Sequence, residues 1–138
     1  MTVGAKWVQL NSLNTNYTQF RDVSTYALLK AATGLTALRM SCIAQDSLTP
    51  MLMTVLPTQL EVLDLAGNVF DVDSFSAALL RMTALRSLNL SCCSLSGQDV
   101  ATLTPPLTKC HELIWLRMNG LNLTSEVEVI ALVREWTQ

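Results

Sequence analysis

The run Leu60-Glu61-Val62-Leu63-Asp64-Leu65-Ala66-Gly67-Asn68-Val69-Phe70 returns, altered, as Leu85-Arg86-Ser87-Leu88-Asn89-Leu90-Ser91-Cys92-Cys93-Ser94-Leu95. In both, apolar residues hold the first, fourth, sixth and eleventh places, and Asn or Cys holds the ninth. A third copy is Leu113-x-x-Leu116-x-Met118-x-x-Leu121-x-Leu123. Upstream lie Leu35-x-x-Leu38-x-Met40-x-x-Ile43 and a looser Ala5-x-x-Val8-x-Leu10-x-x-Leu13. The five units begin 30, 25, 25 and 28 positions apart. A fixed period of this length marks a stack of coils rather than one irregular core.

The spacing has a physical meaning. In Leu-x-Leu the two leucines point the same way because side chains alternate along a strand, and the leucine three residues earlier turns into the same core. Parallel strands of successive units stack at ~4.8 Å, so five units make a ladder about 24 Å across. An Asn or Cys at the ninth place can satisfy turn backbone groups from inside the coil. Asn68 and Cys93 fit this role, whereas Ile43, Leu121 and Leu13 are aliphatic, which predicts less regular turns there.

Between the strands the period becomes helical. Val100, Leu103, Leu107 and Cys110 share one face, as do Phe75, Leu79 and Met82, and Leu48, Leu52 and Val55. Residues 21–32 read as a helix facing inward through Val23, Ala27 and Ala31, with Gly34 as its stop. Pro57 closes the helix begun near Ser47. Pro105-Pro106 suits a first helical turn better than a helix interior, which predicts a short helix in that unit. Glu126 to Trp136 reads as an amphipathic helix through Val129, Ile130, Val133 and Trp136.

The unit length, the outer helix and the segment Leu95-Ser96-Gly97-Gln98-Asp99-Val100-Ala101 resemble the ribonuclease-inhibitor-like subgroup of leucine-rich repeat proteins. The resemblance covers roughly residues 35–124. It implies an α/β solenoid of about five repeats, with a parallel sheet on the concave side and helices on the convex side. One domain over 1–138 is expected, with a degenerate first repeat at 1–34, clear repeats at 35–123 and a C-terminal capping helix at 124–138. The resemblance also implies a surface that binds protein. It is nearly silent on which protein, because one architecture hosts many partners.

Composition narrows the classes further. Half of the 138 residues are apolar and 14 % are charged, where about 25 % is usual for a soluble domain. Twenty-five leucines and this apolar content exclude a disordered chain. A net charge of −2 argues against nucleic-acid binding. The longest apolar runs, such as 129–133, are far short of the ~18–20 residues that span a bilayer. The first six residues lack a signal-peptide layout. An intracellular, cytoplasmic protein with four free thiols (Cys42, Cys92, Cys93 and Cys110) is expected. The Asn-x-Ser/Thr triplets at Asn16, Asn89 and Asn122 then read as chance.

Catalysis and metal binding find little support. The single histidine, His111, follows a cysteine that the repeat turns inward, so the pair makes no dyad. Cys92-Cys93 is a vicinal pair without zinc-site spacing, and no glycine-rich phosphate loop exists. No enzyme activity, cofactor, metal or small-molecule substrate is expected.

The register instead places candidate partner-binding residues on the concave sheet face: Trp7, Gln9, Arg39, Asp64, Asn89, Trp115, Arg117 and Asn119. Trp115 stands out, because tryptophan and arginine are enriched at binding hot spots; the competing reading is that the C-terminal helix covers it. A solenoid is open-ended, and its terminal repeats normally carry polar caps. The apolar first unit and the thin charge therefore suggest a surface covered within a larger assembly. The sequence reads as a non-catalytic protein–protein interaction module, a scaffold or structural subunit of a multiprotein complex. The alternative is a regulatory inhibitor that covers a target enzyme with its concave face.

Overall fold

A computed structural model describes residues 8–17, 22–43 and 48–120. Five three-residue strands form one parallel sheet in chain order: β1 (Ser12–Asn14), β2 (Ala37–Arg39), β3 (Val62–Asp64), β4 (Ser87–Asn89) and β5 (Trp115–Arg117). The connections hold α1 (Asp22–Ala31), α2 (Pro50–Met53), α3 (Val72–Leu79) and α4 (Gly97–Thr108). The middle residues Leu13, Leu38, Leu63, Leu88 and Leu116 lie in register across the sheet. This is a small α/β solenoid.

The repeat leucines form the interior. Leu35, Leu60 and Leu85 are fully buried, as are Leu38, Leu63, Leu88, Leu65 and Leu90. Phe75, Leu79 and Met82 close the third coil from the helix side, and Val100, Leu103 and Leu107 close the fourth. Each such side chain stabilises the coil by roughly 1.5–3 kcal/mol relative to exposure. Among the described strands β1 and β5 have a neighbour on one side only, and Leu13 and Leu116 are half-buried.

Helix starts follow from capping. Asp71 accepts the Ser74 N–H at 3.0 Å and the Ser74 hydroxyl at 2.6 Å, which hold its carboxyl below the usual carboxylate range. At α4, Ser96 Oγ accepts the Asp99 N–H and Asp99 accepts the Ser96 N–H, a reciprocal capping box. Thr49 caps the single turn of α2, with Pro50 at its first position.

The turn after each strand repeats one conformation. The eighth residue of every unit has positive φ: Tyr17 (60°), Cys42 (50°), Gly67 (70°), Cys92 (56°) and Gly120 (67°). Its amide donates to the seventh residue of the next unit: Tyr17 to Ser41, Cys42 to Ala66, Gly67 to Ser91 and Cys92 to Asn119, all at 2.7–2.9 Å. The next eighth residue must also leave room. A Cβ on Gly67 would lie 2.4 Å from Cys42 Sγ, and one on Gly120 would lie 3.0 Å from Cys92 Sγ. Cysteine in one coil is therefore matched by glycine in the next.

Several expectations change. The first strand is not at 7–11. Ser12 pairs with Ala37 and Asn14 with Arg39, so the first unit is Leu10-x-x-Leu13-x-Thr15, in which Thr15 replaces the third leucine and is buried. The inward face of α1 runs through Thr25, Leu29 and Ala32, while Ala27 is exposed, because the helix follows the 25-residue spacing from Phe75, Leu79 and Met82. Pro105 and Pro106 lie inside α4 rather than at a helix start. They are tolerated in its last turns, where the carbonyls left without N–H partners, at Ala101 and Thr102, belong to an exposed and a half-exposed residue. The turn at Ile43 keeps the common form because Asn68 Oδ1 of the next coil accepts the Ile43 N–H at 3.1 Å. Leu121, the helix at 124–138 and Asn122 lie outside the described residues.

Candidate functional site

Alternation along the strands sends three columns of side chains to the open sheet face. Before the central leucine stand Ser12, Ala37, Val62, Ser87 and Trp115; after it stand Asn14, Arg39, Asp64, Asn89 and Arg117. The seventh residues, Asn16, Ser41, Ala66, Ser91 and Asn119, follow at the turn. The structure thus brings Arg39, Asp64, Asn89, Trp115 and Arg117 together, with Asn119 at the edge. Gln9 is left out: it lies in a turn ahead of β1, and Asn14 takes its place in the polar column. Trp7 lies outside the described residues. The signal that locates β1 is the strict step of 25 between Leu35, Leu60 and Leu85, which points back to Leu10.

The polar column divides by task. Asn14, Asp64 and Asn89 each accept, through Oδ1, the N–H of the residue two places on (Asn16, Ala66 and Ser91), all at 3.0 Å. These short side chains hold the strand-to-turn bend. Arginine has no acceptor, and where it occupies the column the preceding coil takes over. Asn16 Oδ1 accepts the Ser41 N–H at 2.7 Å, and Ser91 Oγ accepts the Asn119 N–H at 3.1 Å. Arg39 and Arg117 are thereby relieved of turn duty.

A shallow depression of about 300 Å³ runs across the face, lined by Arg39, Asp64, Asn89, Trp115 and Arg117 among others. Trp115 is 65 % exposed beside Arg117 at the β5 end. Val62, Asp64, Ser87 and Asn89 are half-buried in the middle of the sheet.

The chemically reactive residues point elsewhere. Cys110 is buried, with its Sγ 3.5 Å from the Pro106 carbonyl oxygen, and burial pushes its thiol up. His111 is exposed, so the neighbours diverge. Cys93 donates from Sγ to the Leu65 carbonyl at 3.2 Å; burial raises its pKa, against backbone hydrogen bonds from Asn68 and Gly67 that lower it. Cys92 is exposed. Among the described residues no group of three or more His, Cys, Asp or Glu is placed to hold a metal ion.

The repeat pattern and the parallel solenoid give this chain the leucine-rich repeat fold. The family model for Leucine Rich Repeat matches residues 84–105. The C-terminal domain of tropomodulin from Caenorhabditis elegans superposes with a TM-score of 0.67 at 10 % identity, over 99 % of this chain and 92 % of that one. Internalin C2 from Listeria monocytogenes superposes with a TM-score of 0.60 at 16 % identity, over 95 % of this chain and 61 % of that one. These likenesses show the fold. No curated protein matches the sequence. A leucine-rich repeat fold supports a protein–protein interaction module, and among the described residues no helix is long and apolar enough to cross a membrane.

Proposed function

We propose that this chain is a non-catalytic module of the ribonuclease-inhibitor-like type, acting as a scaffold or structural subunit of a multiprotein complex through its concave sheet face. The observation that carries the reading is Trp115, an indole 65 % exposed on a rigid strand beside Arg117. A large aromatic in that setting gains most from being covered by a partner, and a preformed sheet loses little ordering entropy on binding. Met51 and Leu80, each about half exposed on the helix side, add apolar surface suited to an assembly. The four thiols are free, and two of them are buried as hydrogen-bonded thiols, which fits a reducing, cytoplasmic location.

The test is retention in a complex. Tagged full chain and its Trp115→Ala variant are expressed in cells and resolved by size-exclusion chromatography and native mass spectrometry. The scaffold reading expects a stoichiometric complex with the wild type and its loss with the variant, whose own melting point is unchanged. A wild-type chain that runs as a soluble monomer at high concentration contradicts it.

A further inference from the structure

The charge order across the concave face specifies the chemistry of its partner. From β2 to β5 the polar column reads Arg39, Asp64, Asn89, Arg117: positive, negative, neutral, positive. The two guanidinium groups are the members that hold no turn together, because their turn amides are bonded by Asn16 and Ser91. They can turn to a ligand without loosening the fold. Asp64 and Asn89 are held by their own bonds to Ala66 and Ser91, so they present fixed groups.

The spacing sets a ruler. Three strand steps separate Arg39 from Arg117, about 14 Å at ~4.8 Å per step. An extended peptide crossing the strands advances about 3.4 Å per residue and shows alternate side chains to the same side. Its residues i, i+2 and i+4 therefore face the sheet together and span about 14 Å. A carboxylate at i meets Arg39, a carboxylate at i+4 meets Arg117, and a cation at i+2 lies within a lysine's reach of Asp64. Carboxylate is the natural partner of a planar guanidinium, which binds it through two parallel hydrogen bonds. The indole of Trp115, in register with Ser87 of β4 and two residues before Arg117 on the same strand face, offers an apolar platform at the second carboxylate.

Building on the concave-face reading above, we infer that this face binds an extended protein segment of the pattern acidic-x-basic-x-acidic, laid across strands β2 to β5. The affinity weakens with added salt, because the contacts are between partly exposed charges.

The probe is a fluorescently labelled synthetic peptide, Glu-Ser-Lys-Ser-Glu with neutral flanks, titrated with the full chain by anisotropy. The comparison peptide has the charges inverted, Lys-Ser-Glu-Ser-Lys. The first is expected to bind and the second to bind at least about fivefold more weakly, the scale of two exposed ion pairs exchanged for like-charge contacts. Arg39→Glu and Arg117→Glu should each weaken the first peptide by about fivefold or more at unchanged circular dichroism and melting point. Asp64→Asn keeps the Oδ1 acceptor for Ala66 and removes the charge, so it should abolish the advantage of lysine over glutamine at the middle position. Equal binding of the two peptides, or arginine variants that bind as the wild type does, overturns the inference. If neither peptide binds while Trp115→Ala still loses the cellular complex, the acidic-partner inference falls and the concave-face reading stands.

Discussion

Replacing Asn68 by alanine should cost far more than the loss of one small side chain. Asn68 is 5 % exposed, and its Nδ2 donates to the Met40 carbonyl at 2.7 Å and the Leu65 carbonyl at 2.8 Å. Its Oδ1 accepts the Ile43 N–H at 3.1 Å. One residue thus joins the turn of its own coil to that of the coil before it. Alanine leaves the Met40 carbonyl and the Ile43 amide without this partner in a buried place, while Leu65 keeps its contact with Cys93 Sγ. At about 1–3 kcal/mol for each of the two groups stranded, the loss is about 2–6 kcal/mol. In urea, with a slope of about 2 kcal/mol per molar, the unfolding midpoint should fall by about 1–3 M. Asn68→Cys should restore part of the loss, since Cys93 shows that a thiol here can donate to a turn carbonyl, though it cannot replace the acceptor for Ile43. A midpoint shift for Asn68→Ala below about 0.3 M would refute the reasoning, because it would mean that the turns do not depend on that side chain.

Other outcomes follow from the same structure. Gly67→Ala combines a positive φ with a close approach to Cys42 Sγ, and should cost about 1–3 kcal/mol by chemical denaturation, with a smaller cost when Cys42 is also glycine. Ser96→Ala removes the acceptor of the α4 capping box and should lower stability by about 1 kcal/mol. Cys42 and Cys92 should react first with a thiol reagent, and Cys93 and Cys110 only on opening of the fold. Because burial raises the pKa of Cys93 and Cys110, the native state holds their protons after an unfolded chain has released them. Stability is therefore unaffected below the ordinary thiol pKa and falls as the pH rises through and above it, which a urea series at pH 7 to 10 would show.

Much of the fold was legible because the leucines at places one, four and six are the core itself. Strands β2 to β5 fall where Leu38, Leu63, Leu88 and Leu116 put them. The first strand was obscured because Thr15, a polar residue, fills a leucine place, and because Val8, Leu10 and Leu13 happen to mimic the motif five residues too early. Local apolar spacing gave the wrong α1 face for the same reason: Ala27 fits a helical stripe, but the stacking of coils decides which side is covered. The proline pair misled because the rule against interior proline weakens where the freed carbonyls reach solvent. At the concave face the residues were legible and their tasks were not. Asp64 and Asn89 look in the sequence like free polar contacts, and only the distances to Ala66 and Ser91 reveal that they fasten turns. The borrowing of Asn16 and Ser91 by the arginine-bearing coils spans 25 and 28 residues, beyond any local reading.

The division of labour along the polar column is most directly tested by measuring stability and partner binding together for alanine at Arg39, Asp64, Asn89 and Arg117. Alanine at Asp64 or Asn89 should lower the urea midpoint by freeing a turn amide, whereas alanine at Arg39 or Arg117 should leave the midpoint unchanged and weaken binding of the acidic peptide. Four variants that move both quantities alike, or arginine variants that unfold more readily than the other two, would contradict the account.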